Sequence, residues 1–132
     1  MTKILLIMTD ELLARAYKAH LARRGWDVQH SPGAREGLAI ARQWKPDAIV
    51  IDLLLPGMHG IEVLKWLRDV PWLATVRVVL LVERTVLSDT LREGQLWGVD
   101  RHLFKDTCSP SDVADCLTHL APPSVSTAPS VS

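Results

Sequence analysis

The run Ala48-Ile49-Val50-Ile51 contains no polar residue and closes on Asp52, and Pro56-Gly57 breaks the chain just beyond. Side chains alternate across a strand, so a run without a polar position reads as a strand covered on both faces, as in a parallel sheet. Ligands and chemistry in open sheets of that kind sit in the crevice at the carboxyl ends of the strands. The sequence therefore delivers one acidic side chain, Asp52, to the end of the fold where such proteins work.

The rest of the chain repeats the same alternation. Lys3 to Ile7 reads as a first buried strand, and Asp10 to Arg24 as a helix with Leu13, Ala16, Tyr17, His20 and Leu21 at helical spacing and Gly25 as its stop. Trp26 to His30 alternates like a short second strand. Ser31-Pro32 has the signature of a helix start, with Ser31 as N-cap, for a helix running through Leu38, Ala41 and Trp44 to Pro46. A third helix is expected over Gly60 to Asp69, a strand over Val76 to Val82, a helix over Ser88 to Trp97 ended by Gly98, a strand over Arg101 to Phe104 and a last helix over Ser109 to Leu120. Five strands alternating with five helices call for parallel βαβ units with right-handed crossovers.

At 132 residues and 48% hydrophobic, the chain suits one globular domain. Fifteen basic residues balance fifteen acidic ones, which leaves no global field to draw nucleic acid or an anionic membrane. No apolar run is long enough to span a bilayer, and Met1-Thr2-Lys3 leads directly into a strand rather than a signal peptide. Cys108 and Cys116 lack metal-ligand or redox spacing and read as free thiols in a reducing compartment, so the cytoplasm is expected. His20, His30, His59 and His119 have no paired spacing for a metal site. Among the five tryptophans, Trp97 at the end of the fourth helix is the preferred interface candidate. The domain is expected over residues 1–120, with 121–132 as a disordered Ser/Pro-rich tail.

From Lys3 to Leu120 the chain resembles the receiver domain of two-component response regulators. Asp-Leu-x-Leu-Pro-Gly-Met-x-Gly at Asp52 to Gly60 matches the family's phosphoacceptor segment, Lys105 falls where the family keeps a lysine after its fifth strand, and the spacing between them fits. The resemblance implies a flavodoxin-like (βα)5 fold, a single doubly wound domain with a five-stranded parallel sheet. It also implies phosphoryl transfer from a histidine kinase to Asp52. In that family an acidic pair after the first strand, the phosphoacceptor and a backbone carbonyl two residues beyond hold magnesium, and a Ser/Thr hydroxyl and the lysine hold the phosphoryl oxygens.

Carried over residue by residue, that apparatus is reduced. The acidic pair aligns with Met8 and Thr9, the hydroxyl position with Val82, and the aromatic switch position with His102. Met8 is no ligand for a hard cation and Thr9 offers only a neutral oxygen. Asp10, through water, and Leu54, through its carbonyl, are the residual candidates for a metal contact. Removing one preorganised donor from a developing charge costs roughly two to three orders of magnitude in rate. The expectation is therefore that no cofactor is needed, magnesium binding being weak at best, and no residue is assigned a catalytic role. Lys105 is read either as a simple ion-pair partner of Asp52 or as a retained regulatory contact. The family's proline after the lysine is here Asp106, and because a cis bond to a non-proline residue costs about 2.5–4 kcal/mol, Lys105-Asp106 is expected trans.

Two functions follow from the resemblance. One is a phosphorylation-independent interaction module of two-component-type signalling, not an enzyme beyond self-phosphorylation on Asp52, that meets a histidine kinase or a downstream effector and self-associates as a homodimer. The other is a conventional phosphoacceptor at Asp52, with Asp10 or Glu11 substituting for the missing acids. Nucleic acid and membrane are not expected partners.

Overall fold

The computed structural model describes residues 1–123. In it, the all-apolar run Ala48–Asp52 is the central strand β3 of a five-stranded sheet. Chain order is β1 (Lys3–Ile7), α1 (Glu11–Arg23), β2 (Asp27–Ser31), α2 (Ala34–Trp44), β3, a hairpin of β4 (Leu54–Leu55) and β5 (Met58–His59), and α3 (Gly60–Asp69). A 3-10 turn at Pro71–Leu73 follows, then β6 (Arg77–Val82), α4 (Ser88–Leu96), β7 (Arg101–Phe104) and α5 (Pro110–Leu120). The sheet order is β2-β1-β3-β6-β7 and every pair is parallel. The chain moves outward from β1 to β2, then back past it to β3, β6 and β7. The order reverses between β1 and β3, and Asp52 ends β3 beside that switch point.

Alternation along β3 divides the core. Ile49 and Ile51 face α2 and α3 with Leu38, Val63 and Leu67, while Ala48 and Val50 face α1 and α5 with Tyr17, Leu21 and Leu117. All five residues of β3 are buried, which is the physical content of its unbroken apolar run.

Helix boundaries follow the sequence signals, with corrections. In α1 the buried stripe is Ala14, Tyr17 and Leu21; Ala16, expected inward, is exposed, and Leu13 and His20 lie on the flank. Asp10 and Arg24 are that helix's caps. Ser31 is not an N-cap. It is the buried last residue of β2, and its hydroxyl donates to the Gly33 carbonyl at 2.8 Å, so Pro32 stays outside the helix and Gly33 stands at the N-cap of α2. Trp26 precedes β2 rather than joining it, and its buried indole N–H donates to the Ala121 carbonyl at 2.7 Å. Ala121 is buried and the Thr2 hydroxyl donates to the Pro122 carbonyl at 2.8 Å, so the start of the expected disordered tail is packed; residues 124–132 of that expectation lie outside the described residues.

One side chain unmarked in the sequence organises the opposite end of the sheet from Asp52. Arg68 on α3 donates to the carbonyls of Leu73, Ala74, Val76, Trp97 and Gly98 at 2.9–3.1 Å, joining the 3-10 turn, the start of β6 and the turn after α4. Burial lowers the pKa of its guanidinium, with Asp100 acting in the opposite direction. Gly98 is required beside it, because its φ of +86° is left-handed and a Cβ there would sit 2.9 Å from an Arg68 nitrogen.

Candidate functional site

Asp52 reaches the crevice with 3% of its surface exposed. Two contacts hold its carboxylate. Lys105 Nζ donates to Oδ2 at 2.8 Å, and the Leu54 backbone N–H donates to Oδ1 at 3.1 Å. Lys105 is the first residue past β7, and its own N–H donates to the Val82 carbonyl at 2.9 Å, extending the β6–β7 ladder by one step. The sheet register thus fixes the lysine's Cα, and its stem spans β6 to meet the acid on β3.

The segment after Asp52 is folded back tightly. Leu54 pairs with His59 and Leu55 with Met58 across the Pro56-Gly57 turn, a hairpin the sequence signalled only as a chain break. The Gly60 N–H donates to the Leu53 carbonyl at 2.7 Å, and a Cβ at Gly60 would lie 2.8 Å from Leu53 Cα. The glycine is what lets α3 start against the end of β3. His59 caps that helix, its Nδ1 accepting from the Ile61 N–H at 3.3 Å. Leu54 leaves its side chain 55% exposed at the rim.

The remaining candidate residues go elsewhere. Met8 is fully buried in the apolar cluster with Ala14 and Tyr17, and its carbonyl is bonded to His30 Nε2 at 2.7 Å. Thr9 is exposed, with its hydroxyl 3.4 Å from the Pro32 carbonyl. Asp10 accepts from the Leu13 N–H at 3.0 Å as the N-cap of α1, and Glu11 is exposed in the first turn, where a carboxylate complements the helix dipole. Val82 is fully buried. His102 is exposed and packs edge-on against Phe104 at 5.8 Å. Lys105–Asp106 is trans, in line with the sequence reading, since no cis peptide bond occurs among the described residues.

Tyr17, read from the sequence as only a core residue, lies within electrostatic reach of the acid. Its hydroxyl and Cys108 Sγ are 3.4 Å apart. Burial pushes its pKa well above the usual 10.0, the Cys108 hydrogen bond adds to this, and the charge of Asp52 contributes less. Helical spacing marks Tyr17 as inward but gives no sign of where its hydroxyl ends, because Cys108 is 91 residues away.

Chemically, the site presents one buried carboxylate with both oxygens engaged, one by an ammonium and one by a backbone donor. Tested as a magnesium site, its donor set is poor: Met8 is apolar, Asp10 is turned to its helix, and no cluster of three or more His, Cys, Asp or Glu residues suited to a metal occurs among the described residues.

Comparison with known proteins places this arrangement. The chain is 32% identical over 120 residues to the DNA-binding dual master transcriptional regulator RpaA of Synechocystis, covering 91% of this chain but only 48% of that protein, so it spans about half the length of that relative. It is 28% identical to the polar-differentiation response regulator DivK of Brucella ovis, covering 91% of this chain and 98% of DivK. Among solved structures, the Vibrio cholerae chemotaxis protein CheY4 superposes with a TM-score of 0.83 at 23% identity, covering 91% of this chain and 98% of that one, a likeness of fold. The receiver domain of the Francisella response regulator 1452 gives 0.80 at 26% identity, covering 91% and 96%. The family described as the response regulator receiver domain matches residues 4–117, spanning both Asp52 and Lys105, and the chain belongs to that family.

Proposed function

We propose that this receiver domain serves two-component-type signalling as a protein-interaction module whose working surface does not depend on phosphorylation of Asp52. The observation that carries the reading is the composition of the crevice. Asp52 is neutralised by Lys105 at 2.8 Å, while Met8 and Val82, at the metal-acid and hydroxyl positions, are fully buried apolar side chains. An attacking aspartate brings negative charge towards a negative phosphoryl group, so the oxygens of that group need a cation and donors already in place. Here Lys105 is the one cation in contact with the acid among the described residues. The partners of such a module are a histidine kinase or a downstream effector. Self-association at the end of α4, where Leu96 is 82% and Trp97 36% exposed, belongs to the same proposal.

Intact mass after incubation with a small-molecule phosphodonor and Mg²⁺ tests it, with Asp52→Asn and a conventional receiver in parallel. The expected outcome is no phosphoryl adduct while the conventional receiver labels. A stoichiometric adduct that disappears in Asp52→Asn overturns the proposal in favour of the conventional phosphoacceptor reading, which the retained Asp52–Lys105 pair favours.

A further inference from the structure

Between β6 and α4 the chain crosses the mouth of the Lys105 side of the crevice, and Arg84 sits at that crossing. A cavity of about 390 Å³ lined by Glu83, Arg84, Thr85, Lys105 and Asp106 opens there. Arg84 makes three separate contacts with the strand and loop opposite. Its guanidinium carbon lies 4.8 Å from the centre of the Phe104 ring, its Nε donates to Asp106 Oδ2 at 3.1 Å, and its Nη2 donates to the Thr107 hydroxyl at 3.3 Å. All three partners belong to the stretch that carries Lys105. Asp106 stands where the family resemblance implies a proline, so the carboxylate that receives Arg84 departs from the pattern that resemblance carries.

We infer that Arg84 is a strap that closes the 83–87 loop onto residues 104–107 and governs access to Lys105, independently of the state of Asp52. The neighbouring Val82 side chain is buried and apolar and has no hydroxyl with which to tie the loop to the acid. Arg84 supplies the tie from the other direction, through a flat guanidinium that stacks on one group and bonds two others at once. The ion pair is exposed and weak alone, with the Arg84 and Asp106 side chains 57% and 58% accessible, and the Phe104 ring beneath the guanidinium is half-buried. Acting together on one short loop, the three contacts set the ratio of closed to open forms without holding the fold. The strap does not rest on whether Asp52 accepts phosphate, since none of its atoms contacts that residue in the hydrogen bonds or ion pairs of Arg84.

The test is amide hydrogen exchange across residues 83–88, read together with the rate at which an amine-acylating reagent labels Lys105. The full chain is compared with Arg84→Asp, Asp106→Arg, the charge-swapped double variant and Asp52→Asn, with Arg84→Gln as a milder substitution. Each single change at 84 or 106 is expected to raise loop exchange and Lys105 labelling about three- to tenfold at unchanged melting temperature. The swapped pair should return both readings at least half way on a logarithmic scale, short of full recovery because the stack on Phe104 is lost. Asp52→Asn should leave loop exchange unchanged. Single variants indistinguishable from the parent overturn the strap, as does a double variant no better protected than its singles. Loop opening in Asp52→Asn as large as in Arg84→Asp also overturns it, by showing that the acid holds the loop.

Discussion

Met8 and Val82 carry no exposed surface, and on the strand between theirs lies a carboxylate whose one ionic partner among the described residues is Lys105. Breaking a buried pair from one side leaves an uncompensated charge, at a cost of about 3–5 kcal/mol when both groups are fully dry. Lys105 keeps 24% of its side chain accessible. Lys105→Met is therefore expected to destabilise by roughly 2 kcal/mol in chemical denaturation, below the fully buried range, and adding Asp52→Asn should recover part of that loss. A larger loss in the double variant than in the single would show that the pair is not the source. Tyr17 gives a pH signature. Its folded pKa is raised above the unfolded 10.0, chiefly by burial, so the protonated hydroxyl favours the fold below pH 10 and that contribution is lost as pH rises through and beyond it. Urea unfolding at pH 9 and 11 should show a steeper loss of stability in the parent than in Tyr17→Phe. The partners of these side chains are partly legible: the family resemblance puts Asp52 and Lys105 at one site, with an ion pair as one of two readings, whereas the Tyr17–Cys108 contact joins residues whose local patterns are unrelated.

At the scale of elements, α1 and α5 begin on the signals that sequence supplies. Asp10 caps the first, and Ser109 with Asp112 forms a capping box on the second. The start of α2 differs from the signal at Ser31-Pro32, because Ser31 turns its hydroxyl to the Gly33 carbonyl just ahead instead of to a helix N–H. Local signals of equal appearance led to different outcomes, since β1 claims Ser31 as a strand partner opposite Ile7. Arg68 is the element-scale counterpart of the Asp52–Lys105 pair. Five carbonyls in two connections depend on it, so Arg68→Met should destabilise by about 2–4 kcal/mol, with the loss concentrated in amide protection of the 3-10 turn and the α4–β7 turn. A surface-sized effect below about 0.5 kcal/mol would contradict that role. An arginine among helix-favouring residues shows in the sequence as a solvated charge; only the convergence of two distant connections on one point makes it a staple.

For the whole molecule, the acid that ends β3 already has an ionic partner in Lys105, and Met8 and Thr9 stand where the family's acidic pair aligns. EDTA and Mg²⁺ should therefore give melting curves that superpose, because a ligand stabilises a fold only through preferential binding to it. A marked rise in melting temperature with Mg²⁺ would reveal a site the donor set does not suggest. No helix among the described residues is long and apolar enough to cross a membrane. What the sequence determined by itself was the architecture and the location of the site: unbroken apolar runs demand cover on both faces, and that demand leads to a parallel sheet with Asp52 at a strand end. What only tertiary structure decided was which groups meet across distance. The Asp52 oxygen taken by Lys105, the Arg68 carbonyl staple, the Arg84 bridge to Phe104, Asp106 and Thr107, and Ala121 closing on Trp26 all join segments that are local neighbours in no periodic pattern. Periodicity encodes the face a residue shows, and sheet order, set by the packing of all five strands together, decides what stands opposite that face.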